Sequence, residues 1–156
     1  VMSDDARARA RRAALDLLAR REHSLAELFD KVVERHPELS PDDIVRPVLE
    51  QLAEDNLQSD TRFAEAFVRY RSTRGDGPLK IAASLRPRRI DSALLRRVLY
   101  DEGPDWVSLC RAVLQRRFGV ASPATRTERA RIERFLMQRG FASEQIRQAL
   151  RLPDDE

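Results

Sequence analysis

RRIDSALLRRVL (88–99) lies over RGFASEQIRQAL (139–150) with a shift of 51 residues and no gap. Arg88/Arg139, Ile90/Phe141, Ser92/Ser143, Leu95/Ile146, Arg96/Arg147, Val98/Ala149 and Leu99/Leu150 match in identity or character. PDDIVRPVL (41–49) fits the same slot, with Val45 and Leu49 at the apolar positions. Self-similarity at a fixed period is the signature of a repeat architecture, each copy being a unit that buries its apolar face against neighbouring helices.

Working outward, each copy is preceded by an apolar stretch ending in arginines: AALDLLARR (13–21), FAEAFVRYR (63–71) and LCRAVLQRR (109–117). Between the two lies a third segment, LAELFDKVVERH (25–36), PLKIAASLR (78–86) or ERARIERFLMQR (128–139). The expected fold is therefore all-α: three tandem three-helix repeats spanning 1–57 (acidic), 58–103 (basic) and 104–156 (basic, with an acidic tail). Scarce glycine, few aromatics and abundant Ala, Leu, Arg and Glu agree with helix and argue against strand.

Local signals place the helix ends. Ser24 followed by Glu27 reads as a capping box, and Ser40 with Pro41 as an N-cap with a favourable N1 proline. Asp91 and Ser143 are expected to cap the last helices of the later repeats. Gly75, Gly77, Gly103, Gly119 and Gly140 punctuate the ends. Pro47 predicts a kink or late start, and Pro87 a helix stop near Arg86. Phe63, Phe67 and Tyr70 recur at helical spacing, as do Ile81 and Leu85, and both stripes are expected in the core.

Charge is segregated. The net charge of +3 conceals −5 over residues 1–61, +7 over 62–97 and +7 over 111–151. Each basic block has ten bases against three acids, so most of its arginines find no partner within the block. Lys31 and Lys80 are the only lysines; guanidinium favours bidentate contact with phosphate or carboxylate. The candidate partner-binding or DNA-binding residues are Arg69, Arg71, Arg74, Lys80, Arg88, Arg89, Arg96, Arg97, Arg116, Arg117, Arg126, Arg129, Arg131, Arg134 and Arg139, an electrostatic footprint for phosphate or an acidic protein groove.

Catalytic classes find little support. The sequence has neither a G-x-x-x-x-G-K-[ST] loop nor a G-x-G-x-x-G loop to cradle phosphates. His23, His36 and Cys110 lack metal-ligand spacing, and Cys110 lies on an apolar helix face, as a buried structural thiol does. Asp4/Asp5, Asp42/Asp43 and Asp101/Glu102 sit beside helix ends, where carboxylates serve the helix dipole or solvation. No cofactor, metal or enzymatic activity is expected. VMSDDARARARR has no apolar secretory core, and no run approaches a membrane span, so a cytoplasmic protein is expected.

Three stretches, LLARREHSLAEL (17–28), DTRFAEAFVRYRSTRGDGPLKI (60–81) and RFLMQRGFASEQI (134–146), resemble the RecX family of RecA regulators, in order and at familiar spacing, over most of the chain from Ala13 to Leu150. The resemblance implies an elongated, curved body of three tandem three-helix repeats, each similar to a helix-turn-helix. It also implies a regulatory protein that binds RecA and lodges in the groove of the RecA–DNA filament, inhibiting its ATPase and strand exchange. On that reading the chain is a monomer, and DNA itself is a further surface its arginines could meet. Arg62, Phe63 and Ala64 resemble the family's R-F-A element, Gly75, Gly77 and Pro78 its G-x-G-P turn, and Arg139, Gly140 and Phe141 its R-G-F turn. Phe63 and Phe141 read as packing residues and the glycines as tight backbone. LRPRRID (85–91) departs from the family, since Arg89 stands where it has glycine and Pro87 enters the helix; both put that turn in question. Two other classes fit the residues, a non-specific DNA-binding helix-turn-helix protein and a helical protein-interaction scaffold.

Overall fold

In the computed structural model, which describes residues 2–119 and 123–151, the described residues form nine α-helices and no strand. They are α1 (Met2–Leu18), α2 (Leu25–Arg35), α3 (Arg46–Glu54), α4 (Asp60–Thr73), α5 (Pro78–Leu85), α6 (Ser92–Arg96), α7 (Trp106–Phe118), α8 (Arg126–Gln138) and α9 (Ser143–Leu150). Helices are recovered in the three places the repeat requires. Within the 51-residue superposition, Leu99 and Leu150 are both buried, as are Val98 and Ala149.

The chain divides into two compact units, Val1–Ala66 with Pro87–Leu94, and Phe67–Arg86 with Leu95–Glu156. In the first unit α1, α2 and α3 pack on one another around Ala10, Ala14, Leu17, Leu28, Val32, Leu39, Val45, Leu49 and Leu52. In the second, α7, α8 and α9 pack mutually, burying Cys110, Leu114, Ile132, Leu136, Phe141, Ile146 and Leu150. Burial pushes the Cys110 thiol up to about 12, which keeps it a neutral packing group.

The helix ends follow local chemistry. Ser24 Oγ accepts the Glu27 N–H at 3.0 Å, and Ser40 Oγ accepts the Asp43 N–H at 3.2 Å. Only half of the expected box forms at Ser24, because the Glu27 carboxylate is taken by Arg21 at 2.9 Å. Asp91 caps α6, accepting from the N–H groups of Ala93 and Leu94. Ser143 does not cap α9. Ala142 occupies the cap position and its N–H donates back to Gln145 Oε1 at 2.8 Å, so the helix opens one residue earlier than the serine suggests. Pro47 is accommodated without a break: the chain enters through a wide turn over Pro41–Val45, with Arg46 N–H reaching Pro41 O, and α3 follows. Helix α5 ends at Leu85, next to the predicted stop, and passes into a 3-10 turn over Arg86–Arg88.

One stripe does not behave as expected. Phe63, Ile81 and Leu85 are buried and Phe67 is half-buried, but Tyr70 is 60% exposed. Its hydroxyl accepts from Arg74 Nη1 at 2.9 Å, and the Arg74 guanidinium lies 5.4 Å from its ring centroid. Helical spacing alone does not distinguish the edge of a buried stripe from its centre, and Tyr70 falls on the outer edge.

Candidate phosphate and partner interface

The motif residues hold backbone. In the second unit, Gly77 N–H donates to Arg139 O at 2.7 Å and Leu79 N–H to Gly140 O at 2.9 Å, joining the α4–α5 turn to the α8–α9 turn. A Cβ on Gly77 would fall 2.4 Å from the Gly140 carbonyl carbon, which explains why that position holds glycine. Arg139 completes the joint by donating to Gly75 O at 3.1 Å and Arg74 O at 2.7 Å. Asp76 accepts from Arg71 Nε at 2.6 Å and lies 3.5 Å from Lys80 Nζ, while Arg71 also donates to Ser84 Oγ. Burial alone would raise the Asp76 carboxyl, but the Arg71 hydrogen bond and the charges of Lys80 and Arg71 outweigh it and hold it below the usual carboxylate range.

The first unit has its own polar knot. Gln58 donates to His23 O and to Asp60 Oδ1, which also accepts the Leu25 N–H at 2.8 Å. Arg62 donates to Glu22 at 3.0 Å and to Asn56. His23 is buried, and burial, then the charge of Arg21, lowers its imidazole below the ordinary value. Its Nδ1 lies 3.0 Å from Arg21 O and its Nε2 3.4 Å from Lys31 Nζ, a setting that suits a neutral ring accepting from the ammonium.

The fifteen candidate cations therefore divide. Arg71 and Lys80 are engaged with Asp76, Arg88 lies 3.7 Å from Glu27, Arg89 3.3 Å from Asp30, Arg97 3.6 Å from Glu102, and Arg129 3.3 Å from Glu133. Arg139 is spent on backbone carbonyls and Arg74 on Tyr70. Among the described residues, Arg69, Arg96, Arg116, Arg117, Arg126, Arg131 and Arg134 have no carboxylate within 4 Å, and Arg69, Arg96, Arg116, Arg117, Arg126, Arg131 and Arg134 are exposed. Nor do the α8 arginines share one face. Arg131, Arg134, Phe135 and Gln138 stand at i, i+3, i+4 and i+7 along one side, whereas Arg126 and Arg129 turn away from it.

That side of α8 meets the end of α7 in a depression of about 260 Å³ lined by Arg117, Phe118, Arg131, Arg134, Phe135 and Gln138. Phe118 and Phe135 stack edge to face, centroids 5.4 Å apart at 90°. Arg117 lies 5.2 Å from the Phe118 centroid and 5.4 Å from that of Phe135, and Arg131 lies 5.7 Å from Phe118. Ring quadrupoles hold guanidiniums in place while leaving their N–H edges free to donate. The sequence reading singled out the arginines but neither phenylalanine; the Arg131–Arg134–Phe135–Gln138 spacing is the signal that could have found the site.

The comparisons with known proteins agree on one family. Residues 59–99 match the pattern described as RecX, second three-helix domain, and residues 105–150 that described as RecX, third three-helix domain. The chain belongs to the RecX family. It is 46% identical to the Regulatory protein RecX of Halorhodospira halophila, covering 94% of this chain and 89% of that one. It is 45% identical to its counterpart from Chromohalobacter salexigens over 88% of each chain. The crystal structure of RecX from Lactobacillus salivarius matches the fold with a TM-score of 0.79 and 22% identity, over 94% of this chain and 95% of the other. The tandem three-helix organisation expected from the repeat is thus the RecX fold. No helix among the described residues is long and apolar enough to cross a membrane.

Proposed function

We propose that this chain is a regulatory protein that binds RecA and the RecA–DNA filament and inhibits its ATPase and strand exchange. It acts by binding, without cofactor or chemistry, as a cytoplasmic monomer. The observation that carries the reading is membership of a family whose relatives are named regulatory proteins, spanning nearly the full length of chain and relative alike. The exposed guanidiniums without acidic partners support it, since a filament of protein and DNA offers carboxylates and phosphates. In this reading the repeats 1–57, 58–103 and 104–156 engage neighbouring filament subunits, and multivalent attachment holds the filament in one state. Arg69, Arg96, Arg116, Arg117, Arg126, Arg131 and Arg134 are the foremost contacts, while Arg71, Arg74, Lys80, Arg88, Arg89, Arg97, Arg129 and Arg139 are engaged first within the chain.

The test is the RecA ATPase on single-stranded DNA, titrated with purified protein. Inhibition that saturates is the expected outcome. An ATPase unaltered at saturating protein overturns the reading.

A further inference from the structure

We propose that the depression at the junction of α7 and α8 is a phosphodiester-binding cradle, which takes the backbone of a nucleic acid and does not read its bases. Arg117, Arg131 and Arg134 line a space of about 260 Å³, with Gln138 beside them. Three like charges gathered there repel one another, and among the described residues no carboxylate lies within 4 Å to offset them. An anionic ligand relieves that repulsion.

The aromatic pair determines which anion chemistry fits. In single-strand binders an exposed aromatic ring serves as a platform for a base. Here the rings are already engaged: Phe118 and Phe135 lie edge to face, Arg117 and Arg131 lie over Phe118, and Arg117 and Arg139 over Phe135. The rings therefore orient guanidiniums instead of stacking bases. Planar forks so held match a phosphate's two non-bridging oxygens. An acidic protein segment offers isolated carboxylates at side-chain spacing, whereas a nucleic acid delivers successive phosphates to successive guanidiniums, and three guanidiniums lining one depression, two of them held over the rings, favour the latter. The cradle deepens the filament reading by naming a DNA contact, but it binds DNA without RecA and so stands or falls separately.

The experiment is fluorescence anisotropy with the full-length chain, without RecA, on a labelled oligo-dT, an abasic oligonucleotide of equal length, and a duplex. The variant is Arg117→Ala/Arg131→Ala/Arg134→Ala; the charge-matched control is Arg7→Ala/Arg11→Ala/Arg12→Ala on the exposed side of α1. The triple variant is expected to lose about tenfold or more in affinity, with the slope of log K against log[salt] shallower by about 0.7 per contact removed, or about 2 in all. The loss is expected to be equal on oligo-dT and abasic strands, and the control is expected to bind as the wild type does. On the duplex the variant is expected to lose affinity as well, because a duplex presents the same phosphodiester groups, and a loss on the duplex alone overturns the cradle as a single-strand backbone site. If the alanine variant fails to fold, by the fluorescence of the lone tryptophan Trp106, the Arg→Lys triple takes its place. It keeps the charge and the salt slope but is expected to bind more weakly, because an ammonium lacks the fork.

Unchanged affinity and slope in the variant overturn the cradle. A loss confined to base-bearing DNA overturns backbone recognition. Loss of RecA-filament binding with DNA affinity intact assigns the depression to an acidic protein surface and overturns the nucleic-acid assignment. Intact DNA binding through the cradle, with a RecA ATPase that never responds, would leave the cradle standing and remove the filament reading.

Discussion

Arg89 and Gly140 occupy the same place in two copies of the repeat, and both sit in the left-handed region, at φ 52° and 97° respectively. The turn before the last helix of a repeat demands that conformation in either copy, but what surrounds it differs. At Gly140 a Cβ would lie 2.4 Å from Lys80 Cβ and 2.6 Å from the Lys80 nitrogen, so the position excludes any side chain. At Arg89 a side chain fits, and its guanidinium donates to both Asp30 oxygens at 3.3 Å. A glycine at such a turn can thus answer two separate demands, positive φ and close backbone approach, and only the second forbids substitution. Arg89 holds a left-handed turn with its side chain in place, at the position whose proline and arginine put the turn in question.

The comparison breaks most visibly at Gly140. Gly140→Ala combines the cost of positive φ with a clash against Lys80 backbone, and the expected loss is about 3 kcal/mol. Urea unfolding followed by the fluorescence of Trp106, which lies in the same unit, reads it directly. A loss below about 1 kcal/mol would mean that the Gly140–Lys80 approach relaxes freely, and the contrast with Arg89 would vanish.

The same joint supplies the next effect. Asp76→Asn removes the acceptor that Arg71 and Lys80 share and leaves a half-buried guanidinium short of its partner, at an expected cost of about 2 kcal/mol at neutral pH. The pH dependence has a definite sign. The Asp76 carboxyl is depressed in the folded chain, so its contribution is complete above the ordinary carboxylate value of about 3.9 and is lost as the pH falls through the folded value. The gap between wild type and Asp76→Asn should therefore be constant at neutral pH and close in acid. A gap that widens on acidification would contradict the ion pair.

How much of this was legible beforehand follows from the range of each interaction. Caps at Ser24, Ser40 and Asp91 depend on residues two or three positions away, and the sequence displayed them; Ser143 misled because Ala142 and Gln145 close that turn through a backbone donor. The repeat was readable because apolar period survives substitution. Some engaged cations pair locally, Arg71 and Lys80 with Asp76, Arg97 with Glu102 and Arg129 with Glu133, but others were not separable by sequence, because their partners lie tens of residues away: Arg89 finds Asp30, and Arg139 finds Arg74 O. The block-wise count of acids missed these longer pairings. Tyr70 and the Phe118–Phe135 pair were hidden for the same reason, since spacing gives a face but not what covers it.

The smallest effect is also the sharpest test of the comparison. Arg89→Gly relieves the left-handed strain of a side-chain-bearing residue, worth about 1 kcal/mol, but adds backbone freedom to the unfolded chain, at a cost of about 0.5–1 kcal/mol, and removes an exposed ion pair worth under about 1 kcal/mol. These contributions oppose one another, and the net change should stay within about 1 kcal/mol of zero. Both variants lose the pair, so they differ only by the strain that Arg89→Ala keeps set against the backbone freedom that glycine adds, and Arg89→Ala should lie level with Arg89→Gly or below it by at most about 0.5 kcal/mol, read by far-UV circular dichroism on urea titration. Salt distinguishes the contributions further. Screening weakens the Arg89–Asp30 pair, so the deficit of Arg89→Ala against wild type should shrink in 1 M salt, while the difference between Arg89→Ala and Arg89→Gly, set by backbone conformation, should persist. If alanine proved more stable than glycine by the whole of glycine's backbone freedom, about 0.5–1 kcal/mol, positive φ would cost nothing here, and the shared conformation of Arg89 and Gly140 would have no energetic meaning.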